Sequence, residues 1–382
     1  MQLEQTDVVV VGGGVAGVST AFALRERGFD VVLLEQRFLA FGASGRSLGA
    51  IWTQGLRTDD DVQDLRATND LYRRLVADHG LKTDFSRVGG VVFAEDDAEM
   101  TELRALVDAQ QAIGLDVRLL STEEARAESA FVPDTAVGGA LSAEDGRLDI
   151  ASFVRSLGAL CMQLGVRVYE HTPVLRVLRH GDEATGVLTT RGEVHASAVV
   201  WAAGPWTQQL VPDGVELPLE VVRVGMLQTQ PTGAISTRLA RSASALLEGR
   251  SQRLRFEETY VQNAEGRIVI GSTFDRAESL NPHLTADAAS HLIGSLQRRH
   301  PELGTLGVTG LWAGLVGITM DAAPIVDRVG GLYVSTGHVN GALTAPLAGQ
   351  RIAQLIAGET TVGDLARFAA DRPSLKTMAP AS

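Results

Sequence analysis

Short aliphatic runs alternate with amphipathic stretches along most of this chain, and glycine closes many of them. Residues 8–11 are consecutive valines. A run with no polar alternate predicts a strand buried on both faces. The following stretch, 18–27, sets Val18, Ala21, Phe22 and Leu24 roughly on one side, which predicts a helix stopped by Gly28. A second buried strand is predicted over 31–34. Helical periodicity recurs over 60–79, 97–113, 150–164 and 286–300, with Gly114 and Gly165 closing the second and third of these. Ser121 and Glu124 have the spacing of a capping box opening a shorter helix. Strands are predicted over 89–94, 166–169, 174–178, 186–190, 198–203, 220–229, 254–261, 267–272 and 332–335. A last helix is predicted to begin near Thr344 and Pro346, with a hydroxyl cap and the proline just inside it, and to end at Gly358.

The opening strand–helix–strand carries a recognisable turn. Gly12, Gly14 and Gly17 give G-x-G-x-x-G directly after the first strand. The first glycine permits the tight turn, the second lets a pyrophosphate approach the backbone, and the third lets the helix pack closely on the strand. The helix amino end offers free N–H groups and its dipole to the phosphates. Glu35 ends the second strand, where a carboxylate can accept hydrogen bonds from both hydroxyls of an adenosine ribose. The ligand expected there is a dinucleotide without a 2′-phosphate. The turn alone does not decide between FAD and NAD.

Composition narrows the setting. At 382 residues, with 45% hydrophobic and 21% charged residues, the chain suits a two-domain globular enzyme with a sizeable core. A net charge of -12 and the absence of a basic stripe argue against nucleic acid or an anionic membrane surface as partner. The single cysteine, Cys161, excludes an intrachain disulfide and a clustered-cysteine zinc site, and its apolar periodic surroundings predict a buried helix position. No metal site is expected. No secretory leader and no apolar run long enough to span a bilayer is found, so the expected localisation is cytoplasmic.

Two later glycine-rich pieces complete the pattern. The loop 41–55, FGASGRSLGAIWTQG, exposes many backbone donors around Ser44 and Arg46 and suits a flat ligand or a phosphate. Residues 198–203 run into Gly204 and Pro205, a second point of close backbone approach, with Trp206 on the next turn. Near the end, a glycine turn over 337–341 delivers another helix amino end, suited to negative charge developing on a ligand.

On these pieces the chain resembles the D-amino-acid oxidase, glycine oxidase and sarcosine oxidase family of FAD-dependent amine oxidoreductases. The resemblance rests on GGGVAGVSTAFALRERGFDVVLLE, GASGRSLG, AAGPW, and GLYVSTGH with GALTAP and the terminal helix. It implies a Rossmann-like FAD-binding domain of the glutathione-reductase-like α/β class, with an inserted α+β substrate domain built on a mixed or antiparallel sheet. The division expected is 1–84, 145–216 and 305–382 for the first and 85–144 and 217–304 for the second. The FAD contacts implied are Gly12, Gly14, Val15, Ala16, Gly17, Glu35, Gln36 and Arg37, then Gly42, Ala43, Ser44, Arg46, Ser47, Leu48 and Gly49 in the early loop. Val174, Ala203, Gly204 and Trp206 follow, with Gly314, Gly337, His338, Val339, Asn340, Gly341 and Ala342 completing the set. No cysteine lies near Val316 to Met320 and no histidine stands in the early loop, so noncovalent FAD is expected.

The reaction implied is oxidation of an amine or amino-acid C–N bond to an imine, by hydride transfer to flavin N5, with hydrolysis afterwards. Tyr260 matches a family position lining the pocket and Glu258 precedes it on the same strand face. A carboxylate there favours a cationic or polyamine-like substrate; sheet packing and a solvated face are the alternative. His338 is either a turn residue beside the flavin or a proton-transfer group, and Trp52 either walls the pocket or fills the core. The chain departs from the family where Gly-Leu-Arg-Pro is expected: Val316 replaces the arginine that grips the substrate carboxylate, and Gly317 the proline. Arg223 is a candidate relocated anchor or a structural ion pair. The lysine with which some relatives activate oxygen has no counterpart near these segments, so the acceptor is either O2 or a quinone or partner flavoprotein. Homo- and hetero-oligomers are both open. The alternatives carried are the flavin-bearing subunit of a heteromeric opine-, proline- or glycine-type dehydrogenase, a non-catalytic flavoprotein, and an aromatic hydroxylase, which usually carries Gly-Asp where Gly337 and His338 stand.

Overall fold

The structure, a computed structural model, describes residues 4–209, 217–244 and 254–376. The expected domain limits at 1, 216 and 382 lie outside the described residues. Two eight-stranded sheets organise these segments. In the first, Glu4–Val11 lies between Val31–Leu34 and Gly192–Trp201, parallel to both, with Arg167–Tyr169, Leu332–Thr336 and Ile325–Val329 outside them. Val8 and Val10 point into a core shared with the helices Val15–Glu26, Ile150–Gln163 and Gly341–Ala357. Val9 and Val11 point the other way, into a core closed by Val174, Val187 and Trp201. Both faces are dry, which is why the run has no polar alternate.

The second sheet runs Val308–Ile318, Glu220–Pro231, Arg267–Arg276, Leu254–Gln262, Leu239–Ser242, Gly90–Ala94, Gly138–Ser142, Val117–Leu120. Every pairing in it is antiparallel except that of Leu239–Ser242 with Gly90–Ala94. The helix Ala286–Arg299 covers one face through Leu292 and Leu296. The other face turns toward the glycine loops of the first sheet. The sequence division puts 305–382 with the first sheet; Val308–Ile318 is instead the edge strand of the second, because it pairs along its length with Glu220–Pro231.

Two boundaries differ from the expected ones for local reasons. The strand expected over 198–203 begins at Gly192, since 192–195 close a hairpin with 186–189, and it stops at Trp201 before the turn at Gly204. The last helix begins at Gly341 rather than near Thr344: the Asn340 side chain accepts from the Leu343 N–H at 3.4 Å and caps it. Pro346 therefore sits inside the helix, where it cannot donate to the carbonyl of Ala342. The Tyr72 hydroxyl donates to that carbonyl at 2.6 Å instead. Tyr72→Phe should leave a buried acceptor unpaired and cost about 1–3 kcal/mol, read as a lower denaturation midpoint at unchanged m-value.

Candidate active site

The glycine turn is shaped by its own backbone. Gly12 has φ +115°, and a β-carbon there would collide with the Ala202 carbonyl oxygen. A β-carbon on Gly17 would strike the Gly12 carbonyl, so that glycine seats the helix on the strand. At Gly14 the nearest atom would be Ser44 Oγ at 3.3 Å, and the space is otherwise open for a ligand. Ser44 Oγ accepts from the Val15 N–H at 3.0 Å, locking the early loop onto the helix amino end.

Glu35 is buried, and its two oxygens accept from the N–H groups of Gly13 at 2.7 Å and Arg37 at 2.8 Å. Burial raises its pKa while those N–H groups oppose the rise. Each oxygen keeps a lone pair for a ribose hydroxyl.

These groups open onto one cavity of about 970 Å³. It is lined from Glu35, Gln36 and Val174, past Gly12, Gly14, Val15 and Ala16, to Gly42, Ala43, Ser44, Arg46, Ser47 and Leu48. Ala203, Gly204, Trp206, Gly314, Gly337, His338, Val339, Asn340, Gly341 and Ala342 continue the wall, and so does Trp52. Three of the expected contacts lie outside the lining. Gly17 packs the helix, Arg37 offers its backbone N–H to Glu35, and Gly49 accepts from the Leu148 N–H at 2.9 Å. The far wall is the second sheet, with Val222, Val224, Met226, Phe274 and Val316 facing in.

Glu258 and Tyr260 are not in this cavity. Alternation along this strand puts Glu258 on the same face as Tyr260 and Phe256, the face that packs under the covering helix. Glu257 and Thr259, on the opposite face, line the cavity. Tyr260 stacks on Phe131 with ring centroids 5.5 Å apart and meets the edge of His300 at 4.8 Å. Its hydroxyl donates to Glu258, which pairs with Arg299 Nε at 2.5 Å. Burial lifts the Glu258 carboxyl to about 7. Both residues are core, so neither touches a ligand in the cavity. Arg223 likewise is a structural partner, paired with Asp275 at 2.6 Å and outside the lining.

The cavity wall carries a charged pair with no sequence signal beyond one arginine in an apolar strand. Arg241 Nη2 meets Glu257 Oε2 at 2.5 Å, both side chains half-buried. Arg46 donates to the Phe41 carbonyl at 3.0 Å and lies 4.8 Å from the Phe41 ring centroid, and burial lowers its pKa.

His338 is held from both sides. Thr344 Oγ1 donates to the Asn340 carbonyl at 3.0 Å, so it accepts from Nδ1–H at 2.9 Å, and Nε2 accepts from the Ser335 hydroxyl at 3.1 Å. Desolvation pushes the imidazole down to about 4. It should show no titration between about pH 5 and 8, checked by nitrogen NMR of labelled histidine with His338→Gln for assignment. The unfolded chain takes up this proton first, so His338 lowers stability as pH falls from about 6.5 toward 4.

A dinucleotide cradle on a parallel sheet, facing a chamber walled by a second, largely antiparallel sheet, defines a flavin-type oxidoreductase. Residues 7–355 match the DAO family, described as FAD dependent oxidoreductase, and the chain belongs to that family. FAD is its cofactor, and the open space at Gly14 and the two-sided acceptor at Glu35 fit it. A glycine oxidase of Pseudomonas aeruginosa is 30% identical over 389 residues, covering 95% of this chain and 98% of that protein. A 4-methylaminobutanoate oxidase (formaldehyde-forming) of Paenarthrobacter nicotinovorans is 30% identical over 268 residues, 69% of this chain. The chain spans only 31% of that protein, and 36% of a similar mouse pyruvate dehydrogenase phosphatase regulatory subunit. Among solved structures, glycine oxidase from Geobacillus kaustophilus shares the fold with a TM-score of 0.85 at 23% identity, covering 97% of this chain and 99% of that one. Among the described residues no helix is long and apolar enough to cross a membrane, and no cluster of potential metal ligands occurs.

Proposed function

We propose that the protein oxidises the carbon–nitrogen bond of a primary or secondary amine or amino acid to an imine, which water then hydrolyses. The observation that carries this is a single cavity joining the FAD cradle to an apolar wall. Bound FAD supplies the two-electron acceptor. Val222, Val224, Met226, Phe274, Val316 and Trp52 exclude water and favour the neutral amine, the form whose C–H bond can give up a hydride. The amino end of Gly341–Ala357 places partial positive charge beside the cavity, suited to negative charge gathering there. His338 stays neutral and stiffens that turn rather than exchanging protons.

The relatives named for glycine and 4-methylaminobutanoate oxidation support this class of substrate. Among the described residues the lining contains no lysine, which favours a second reading in which electrons leave to a quinone or a partner flavoprotein. Turnover of N-alkyl amines with an artificial acceptor should release an aldehyde and the dealkylated amine. Absence of carbonyl product from every amine tried would overturn the reaction.

A further inference from the structure

We propose that Arg241 takes a carboxylate that the substrate carries several carbons away from the reacting nitrogen. This deepens the C–N oxidation reading and rests on it for the identity of the reacting end. Arg241 lies on Leu239–Ser242, opposite Thr259 and beside Val92, both of which line the cavity. Among the described residues only Nη2 is engaged, by Glu257, which leaves much of a planar five-donor group to receive a carboxylate as a fork. The other guanidiniums of the wall differ from Arg241 in place rather than in free donors: Arg276 is largely exposed to solvent, and Arg57 and Arg46 are not on this sheet. Arg276 pairs with Glu220 at 3.2 Å, Arg57 donates to the Gln54 carbonyl at 2.6 Å, and Arg46 belongs to the early loop, against Gly314.

Arg241 does not stand in for the arginine missing at Val316. Counting from the edge strand that carries Val316, Arg241 is on the fifth strand. At roughly 4.8 Å per strand that is about 19 Å along the sheet. In an α-amino acid the carboxylate and the nitrogen share one carbon, so such a molecule cannot use both regions. The wall between them is formed by Val222, Val224, Met226 and Phe274, a surface for methylenes. A polar head at one end of an apolar trough reads a chain with a terminal anion.

The test is calorimetric binding of straight-chain monocarboxylates to the FAD-loaded protein, with hexylamine as the carboxylate-free comparison. Affinity should rise from acetate to hexanoate. Arg241→Met should weaken hexanoate at least tenfold more than it weakens hexylamine, with Arg241→Lys between, since it keeps the charge and loses the fork. FAD content and thermal midpoint verify that each variant folds; if the methionine variant does not, the wild-type chain-length series and the lysine variant decide. Equal hexanoate affinity in wild type and variant, no chain-length dependence, or preference for hexylamine over hexanoate would overturn the proposal. Binding is read without turnover. A protein that binds hexanoate through Arg241 yet oxidises no amine would support this inference and count against the reaction.

Discussion

Gly14→Val should yield a folded protein that no longer retains FAD. Two glycines of one turn respond to a side chain in opposite ways. At Gly14 a β-carbon meets only Ser44 Oγ, at 3.3 Å, so the backbone accepts it once that hydroxyl gives by a few tenths of an ångström, and the rest of the side chain extends into the space through which a pyrophosphate would reach the helix amino end. Each hydrogen bond to a charged group contributes about 1.5–3 kcal/mol, so losing two predicts a weakening of roughly 100-fold or more. At Gly12 a side chain meets backbone at φ +115° and the Ala202 carbonyl, so Gly12→Ala should destabilise the protein with or without FAD. Flavin content after desalting, beside the thermal midpoint of the apoprotein, separates the two. Retention of FAD by Gly14→Val at wild-type affinity would mean that the cofactor does not pass over this turn.

Simple α-amino acids should be poor reductants of the bound flavin. Where relatives are expected to hold the substrate carboxylate with an arginine, Val316 presents only methyl groups to the cavity. Losing one or two charge-assisted hydrogen bonds predicts glycine and D-alanine to be about 10- to 1,000-fold less effective than amines lacking an α-carboxylate. Stopped-flow reduction without oxygen, compared at equal free-amine concentration, reads this ratio. Rapid bleaching by glycine would show that another group grips the α-carboxylate.

The parts of the molecule legible in the sequence are those whose cause is local. The valines of 8–11 are buried on both faces, and the glycines of the turn are required by their own backbone. The early loop could likewise be placed on a ligand cavity, because Ser44 and Arg46 line it. What the sequence could not show depends on distant partners. Glu257 and Tyr260 lie on opposite faces by simple alternation, but which face meets the cavity is decided by the helix Ala286–Arg299 packed on the other, and no residue in that strand announces it. The edge strand Val308–Ile318 joins the second sheet only because a distant strand accepts it. Arg241 gains its meaning from Glu257, one strand away in space, and not from its neighbours in the chain. Asn340 outcompetes Thr344 as the cap because the chain enters the helix earlier than the proline suggested.

In the proposed reaction the one cavity seats FAD and an amine together. Anaerobic mixing of the purified yellow protein with a panel of N-methyl amines, ω-amino acids, α-amino acids and polyamines, followed by its visible absorbance, tests it most directly. The account predicts full bleaching by at least one amine, with members bearing a remote carboxylate ahead of glycine. A spectrum unchanged by every amine on the panel would contradict it.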